Sequence, residues 1–302
     1  MANDIAFFQT QFDTDWTFAG VGGVRDGDNS ANIALSGVTG PVSKAYLYWQ
    51  GPTRSQDPTA NANITFNGTG ITGTNIGFSS DNCWGFLNSQ AYRADVTNLV
   101  AGSGTYTVAN YIKSDVANIN GFSLLTFFDD GNDANNRDVV LFDGNDSNIN
   151  NPFDADNWNV NLNGINYASG AASLVLGVGD GQGFEDAPVV VNGTTISTGD
   201  QIFQGNSVPD DGTAGTHNGS LWDIKSFDVT SLLSPGNNDL AMFCGQNSDC
   251  LSLVHAAIDL PAGAAPEQPP GVVPEPGTIV LLGSGLLGLA GVARRKPKRK
   301  DA

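Results

Sequence analysis

Along residues 1–260 the apolar positions come in short runs, broken about every 8–12 residues by Gly, Asn, Asp and Ser, and no useful stretch follows the helical period. That texture predicts an all-β chain of short strands joined by tight turns. Asn-Gly pairs flanked by alternating apolar residues mark hairpins, because both residues tolerate the positive φ that a two-residue turn requires. Such pairs stand at Asn67-Gly68, at Asn163-Gly164 between Val160, Leu162 and Ile165, Tyr167, and at Asn192-Gly193. A parallel α/β architecture would need crossover helices that this pattern does not supply.

The two halves of the chain repeat one another in three features that recur in the same order. A strand and turn at Ile64, Phe66, Asn67, Gly68 and Ile71 matches Val189, Val191, Asn192, Gly193 and Ile196. Asp95-Val96-Thr97-Asn98-Leu99, followed by a turn and the strand Thr105 to Ala109, matches Asp228-Val229-Thr230-Ser231-Leu232 and Asp239 to Phe243. Phe122 to Phe128 matches Leu251 to Ile258. The expected architecture is therefore two tandem antiparallel β-sandwich, jelly-roll-like domains, residues 1–150 and 151–260, each burying alternate residues of two sheets. In the Asp-Val-Thr segments the Asp or Thr is expected to close a tight turn by bonding nearby backbone amides.

The last part of the chain changes character three times. Residues 261–276 form a Pro-rich spacer that favours extended backbone. Gly277 to Ala293 is a run of 17 residues without a charge, near the lower limit for a helix that spans a bilayer. Residues 294–302 open with Arg294, Arg295 and Lys296, a stop-transfer cluster expected on the cytoplasmic side. Together with Pro274-Glu275-Pro276, this order resembles the PEP-CTERM sorting signal of Gram-negative bacteria. The resemblance covers about the last tenth of the chain. It implies a transmembrane helix used as a temporary anchor, recognition by an exosortase, and cleavage near the motif that sends the body to the cell surface or beyond. Met1 to Thr10 lacks the basic and apolar regions of a secretory leader, so the leader is expected upstream of this start.

Charge narrows the partners. The net charge is −18, and residues 1–293 carry 7 basic against 30 acidic residues, which excludes nucleic acid as a ligand of the body. Two of the three cysteines, Cys244 and Cys250, are close enough in sequence to bridge two arms of a hairpin, with Cys83 left over; two buried free thiols are the alternative. Only two histidines, His217 and His255, are present, and His255 lies in an apolar strand, so histidine-based catalysis has little material. Asp129, Asp130, Asn132, Asp133 and Asp138 offer hard oxygen ligands in a loop, which makes calcium a possible cofactor, with Asp180 to Asp186 as a second candidate and a solvated acidic turn as the alternative. Trp84, Trp158 and Trp222 sit among Asn and Asp and are the candidates for stacking on sugar rings, against core packing. The expectation is an exported protein without catalysis, anchored in the inner membrane until processing, with a structural or adhesive role in an exopolysaccharide or biofilm matrix. A carbohydrate-binding or glycan-hydrolysing module is the alternative.

Overall fold

Two kinds of strand build this protein, and burial separates them. In the first kind every second residue is exposed, as in Trp158–Tyr167 and Gly236–Cys244. In the second nearly every residue is buried, as in Val42–Thr53, Gly121–Phe128, Arg137–Ser147 and Ser252–Pro261. A strand covered on one face alternates, and a strand covered on both reads as a continuous apolar run. The chain is therefore layered, with the second kind of strand inside.

The computed structural model describes residues 4–25, 29–197, 202–205, 208 and 221–264. Its first half contains β1 (Ala6–Val21), β2 (Ser30–Leu35), β3 (Val42–Thr53), β4 (Asn63–Phe66), β5 (Thr69–Thr72), β6 (Thr74–Ser79), β7 (Asn88–Asp95), β8 (Gly104–Ala109) and β9 (Gly121–Phe128). The second half contains β10 (Arg137–Ser147), β11 (Trp158–Tyr167), β12 (Ser173–Gly179), β13 (Val189–Val191), β14 (Thr194–Ser197), β15 (Trp222–Asp228), β16 (Gly236–Cys244) and β17 (Ser252–Pro261). All pairings within the sheets are antiparallel.

Each half has the same topology. The inner strands run β1-β9-β3-β7-β6 in the first and β10-β17-β12-β15 in the second, and the outer sheets run β2-β8-β4-β5 and β11-β16-β13-β14. Apart from the added edge strand β6, this is the eight-stranded double Greek key of a jelly roll, written twice. The repeated segments fall on equivalent places. Asn67-Gly68 and Asn192-Gly193 turn the β4–β5 and β13–β14 hairpins, with positive φ at all four residues. Asp95 and Asp228 each accept the backbone N–H two residues on, at 3.0 and 2.9 Å, which sets the single 3-10 turns Thr97–Leu99 and Thr230–Leu232. Thr97 and Thr230 then accept the N–H of Ala45 and Ala172 through Oγ1, at 3.0 and 2.9 Å.

Two expectations are corrected. Asn163-Gly164 does not turn a hairpin. It lies inside β11, where the register with β16 slips between Leu162 and Ile165, and Gly164 takes φ 77° as a bulge in a continuous strand. Nor does the fold divide between residues 150 and 151. β10 is an inner strand of the second jelly roll, and β1 serves both: Ala6 to Thr14 pairs with β10, and Asp15 to Val21 pairs with β9. The switch comes at a bulge beside Asp13, whose φ is 48°. Residues up to Ala265 accordingly form one compact unit. β17 also runs through Pro261, which pairs with Arg137, so the strand enters the expected spacer by one residue.

Three cores result. One fills the first jelly roll, with Trp49, Tyr92, Phe66 and Phe122. Another fills the second, with Trp158, Phe142, Phe203 and Met242. The third lies between the two inner layers and gathers Tyr48, Phe127, Leu141, Trp222, Val254 and Ala257. Close approach across this seam is seen at Gly121, where a Cβ would strike the Trp222 side chain. The spacer beyond Ala264, the expected helix at 277–293 and the basic tail lie outside the described residues. Among the described residues no helix is long and apolar enough to cross a membrane.

Candidate functional site

The tryptophans divide on inspection. Trp158 and Trp222 are fully buried, which corrects the expectation that they could stack on sugar rings. Trp158 meets Phe203 edge-on with ring centroids 5.7 Å apart, and Trp222 donates its indole N–H to Ser123 Oγ at 2.9 Å across the seam. Both occupy inward strand positions, where a large apolar area is most stabilising. Trp84 differs. It sits half-buried in the loop between β6 and β7.

The cysteine pairing is also corrected. Cys244 is the last residue of β16, on the face that carries Leu240 and Met242 into the second core, and its thiol is free. Cys250 lies past the turn, just before β17, and is joined to Cys83, with Cα atoms 6.2 Å apart across 167 residues of sequence. Strand direction decides this, and nearness in sequence does not. Burial pushes the Cys244 thiol up to about 12, which keeps it unreactive.

In the acidic loop the carboxylates serve their own backbone. Asp129 accepts the Gly131 N–H at 2.8 Å, Asp130 accepts the Asn132 N–H at 2.8 Å, and buried Asp138 accepts the Asp13 N–H at 2.9 Å. Asn132 in turn faces the Ala134 N–H at 3.4 Å, while Asp133 lies exposed. Asp15, which the sequence did not single out, receives Asp130 N–H and Asn135 Nδ2 at 2.9 and 2.7 Å. Among the described residues no three acidic, histidine or cysteine side chains converge as metal ligands. His255 lies in the seam beside Tyr48, with ring centroids 4.9 Å apart, and burial drives its pKa down to about 3. It is a neutral sheet residue; His217 lies outside the described residues.

What sequence reasoning missed is a polar constellation at one end of the seam, directly beneath Trp84. The first jelly roll supplies Gln50 from β3, Asn82 and Trp84 from the loop after β6, and Asn120 from the residue before β9. The second supplies Asp180 just after β12 and Ser252 at the start of β17. Asp180 Oδ1 accepts Trp84 Nε1–H at 2.7 Å and Asn120 Nδ2–H at 3.4 Å. Asn120 Nδ2 also donates to Gln50 Oε1 at 3.0 Å. Gln50 Nε2 and Ser252 Oγ donate to Asn82 Oδ1 at 3.3 and 3.0 Å, and Asn82 Nδ2 donates to the Cys250 carbonyl at 2.8 Å. The Cys83–Cys250 disulfide thus fastens the loop that carries Trp84 to the opposite jelly roll.

Backbone and charge are both unusual here. Asn82, Cys83, Asp180 and Leu221 all take φ between 48° and 72°, a region that costs a non-glycine residue about 1 kcal/mol or more. The Asp180 N–H is held by the Leu221 carbonyl at 2.8 Å. Burial raises the Asp180 carboxyl well above the usual range, an effect opposed by the Trp84 hydrogen bond and reinforced by the charge of Asp249. Asp249 is pushed up to about 7 and Asp186 to about 8, again chiefly by burial. Asp249 accepts the Gln182 and Cys250 N–H groups, both at 2.9 Å, and Asp186 accepts those of Ile202 and Phe203 at 2.7 and 2.8 Å. On the outside, the Arg25 guanidinium lies 3.5 Å from the centre of the Trp84 ring, and Arg54 lies 4.9 Å from that of Phe86.

A double jelly roll followed by a sorting tail defines an exported β-protein. A PEP-CTERM protein-sorting motif matches residues 272–296, which span Pro274, Glu275 and Pro276 and the cluster Arg294, Arg295 and Lys296. The chain belongs to the family described as protein of unknown function DUF3344, whose model matches residues 17–260 and so takes in both jelly rolls. No curated protein matches the chain.

Proposed function

We propose that this protein is a processed component of the cell surface or extracellular matrix, with a non-catalytic structural or adhesive role in an exopolysaccharide or biofilm layer. In this reading the apolar run after Pro276 anchors the newly exported chain in the inner membrane. An exosortase then cuts near Pro274-Glu275-Pro276, and the body is released to the surface. The observation that carries the reading is the sorting motif at residues 272–296, placed directly behind a body of two jelly rolls. A body closed by a disulfide between its halves suits an oxidising compartment, where such bonds persist. The strongly acidic composition keeps the body soluble and away from anionic surfaces.

The test is the intact mass of the protein recovered from its host with and without the exosortase. A chain ending near Pro274 to Gly277 only in the strain that has the enzyme is the expected result. An uncut chain in both strains would reduce the tail to an ordinary anchor. A carbohydrate-binding role is the second reading, favoured by the constellation beneath Trp84.

A further inference from the structure

Asp180 and Asn120 are fully buried, and each keeps one oxygen, Asp180 Oδ2 and Asn120 Oδ1, without a hydrogen-bond partner among the described residues. A buried polar oxygen left without a partner is destabilising, and two belonging to side chains that bond to one another define a place where hydrogen-bond partners are wanted. Around them the other polar side chains are engaged: Gln50 and Ser252 both donate to Asn82, and Gln50 in turn accepts from Asn120 and so fixes its orientation. Asp180 itself and three residues near it, Asn82, Cys83 and Leu221, take left-handed backbone, and the disulfide fastens the backbone of the loop that carries Trp84. This geometry is assembled from both jelly rolls and serves neither core.

We propose that the Asp180–Asn120 pair, covered by the side chains of Trp84 and Arg25, is a binding site for a glycan that displaces those side chains and whose hydroxyls pair with the two open oxygens. Two open oxygens on side chains that bond to one another suit sugar hydroxyls, which both donate and accept, and the half-buried Trp84 and Phe86 on the rim offer apolar faces to the C–H side of a sugar ring. A bound cation fits less well, because among the described residues no three acids converge and a hard cation takes six or more oxygens. The inference deepens the adhesive reading and rests on it for the source of the glycan, the matrix polysaccharide.

The test is a titration of the full chain, with the disulfide closed, by oligosaccharides of β-1,4-linked glucose, β-1,4-linked N-acetylglucosamine and 1,4-linked uronate, and separately by calcium alone. Fluorescence is read as the difference between wild type and Trp84→Phe, which isolates Trp84 from the four other tryptophans. The expected result is saturable binding of at least one oligosaccharide, weakened at least about tenfold by Asp180→Asn and by Asn120→Ala, in line with the loss of a hydrogen bond to a charged or buried group. Thermal melts of the variants show that they fold, and saturation-transfer contacts between the sugar and wild-type aromatic protons stand independent of any variant. The proposal is overturned by the absence of binding to all three sugars, by variants that fold and bind like wild type, or by a response to calcium alone that Asp180→Asn abolishes. A chain that is cut by the exosortase and binds no glycan fails only here. One that binds and is never cut fails only the sorting reading.

Discussion

At the scale of single residues, the face on which a side chain emerges matters more than its distance along the chain. Cys244 and Cys250 are neighbours in sequence, yet one enters a core and the other crosses to Cys83. This gives a sharp expectation. Without reduction, denatured protein should titrate one thiol, and peptide mapping should find Cys83 joined to Cys250; a Cys244–Cys250 peptide would refute the pairing. Opening the long loop by Cys83→Ser with Cys250→Ser should lower stability by about 2–5 kcal/mol, read as a shift in the denaturant midpoint. Cys244→Ala should have a smaller effect, about 1 kcal/mol, because it trims one small buried group. Trp158, Trp222 and Trp84 follow the same logic. Composition around them is alike, and only the fold tells an inward strand position from a loop.

At the scale of elements, the internal repeat was legible because turns carry their chemistry in a few residues. Asn67-Gly68 and Asn192-Gly193 need φ above zero, and only a few residue types allow it at low cost. The Asp-Val-Thr segments fold identically because the Asp and Thr side chains reach fixed backbone groups. Asn163-Gly164 misleads for a physical reason: the same positive φ serves a turn or a bulge, and pairing with β16 on both sides of it decides for the bulge. Of the Asp180 constellation only Trp84 and the acidic stretch that opens at Asp180 were legible. Its members come from five separate segments, and nothing in any one of them signals the others. The twofold likeness also makes a prediction. Thr97→Val and Thr230→Val each remove two hydrogen bonds, the one accepted from Ala45 in β3 or Ala172 just before β12 and the one donated to Asp95 Oδ1 or the Ala172 carbonyl, and should each lower stability by about 1–2 kcal/mol in urea titrations. A large effect at one site and none at the other would mean that the two turns are not equivalent.

At the scale of the whole molecule, folding buries acids that would otherwise lie in water. Asp146 and Asp186 are pushed up to about 8 and Asp249 to about 7, with burial first among the causes; Asp154 and Asp4 press on Asp146, and Asp249 and Asp223 on Asp186. Each carboxyl therefore holds a proton in the folded state at a pH where the unfolded chain, near 3.8, has lost it. Between those values the folded state binds more protons, so stability falls as pH rises, and the whole contribution is present only at the acidic end. His255 works in the opposite sense: its folded value of about 3 lies below the ordinary 6.5, and its contribution is lost as pH falls through that interval. One imidazole against three carboxyls leaves a net decline in stability from pH 5 to pH 8. The expected decline is about 2 kcal/mol. Chemical denaturation at a series of pH values should show it, and Asp146→Asn with Asp186→Asn should flatten the curve while raising stability at pH 8. A profile that is level or rises from pH 5 to pH 8 would mean that these carboxyls are ionised in the folded protein, with counter-charge or water reaching them.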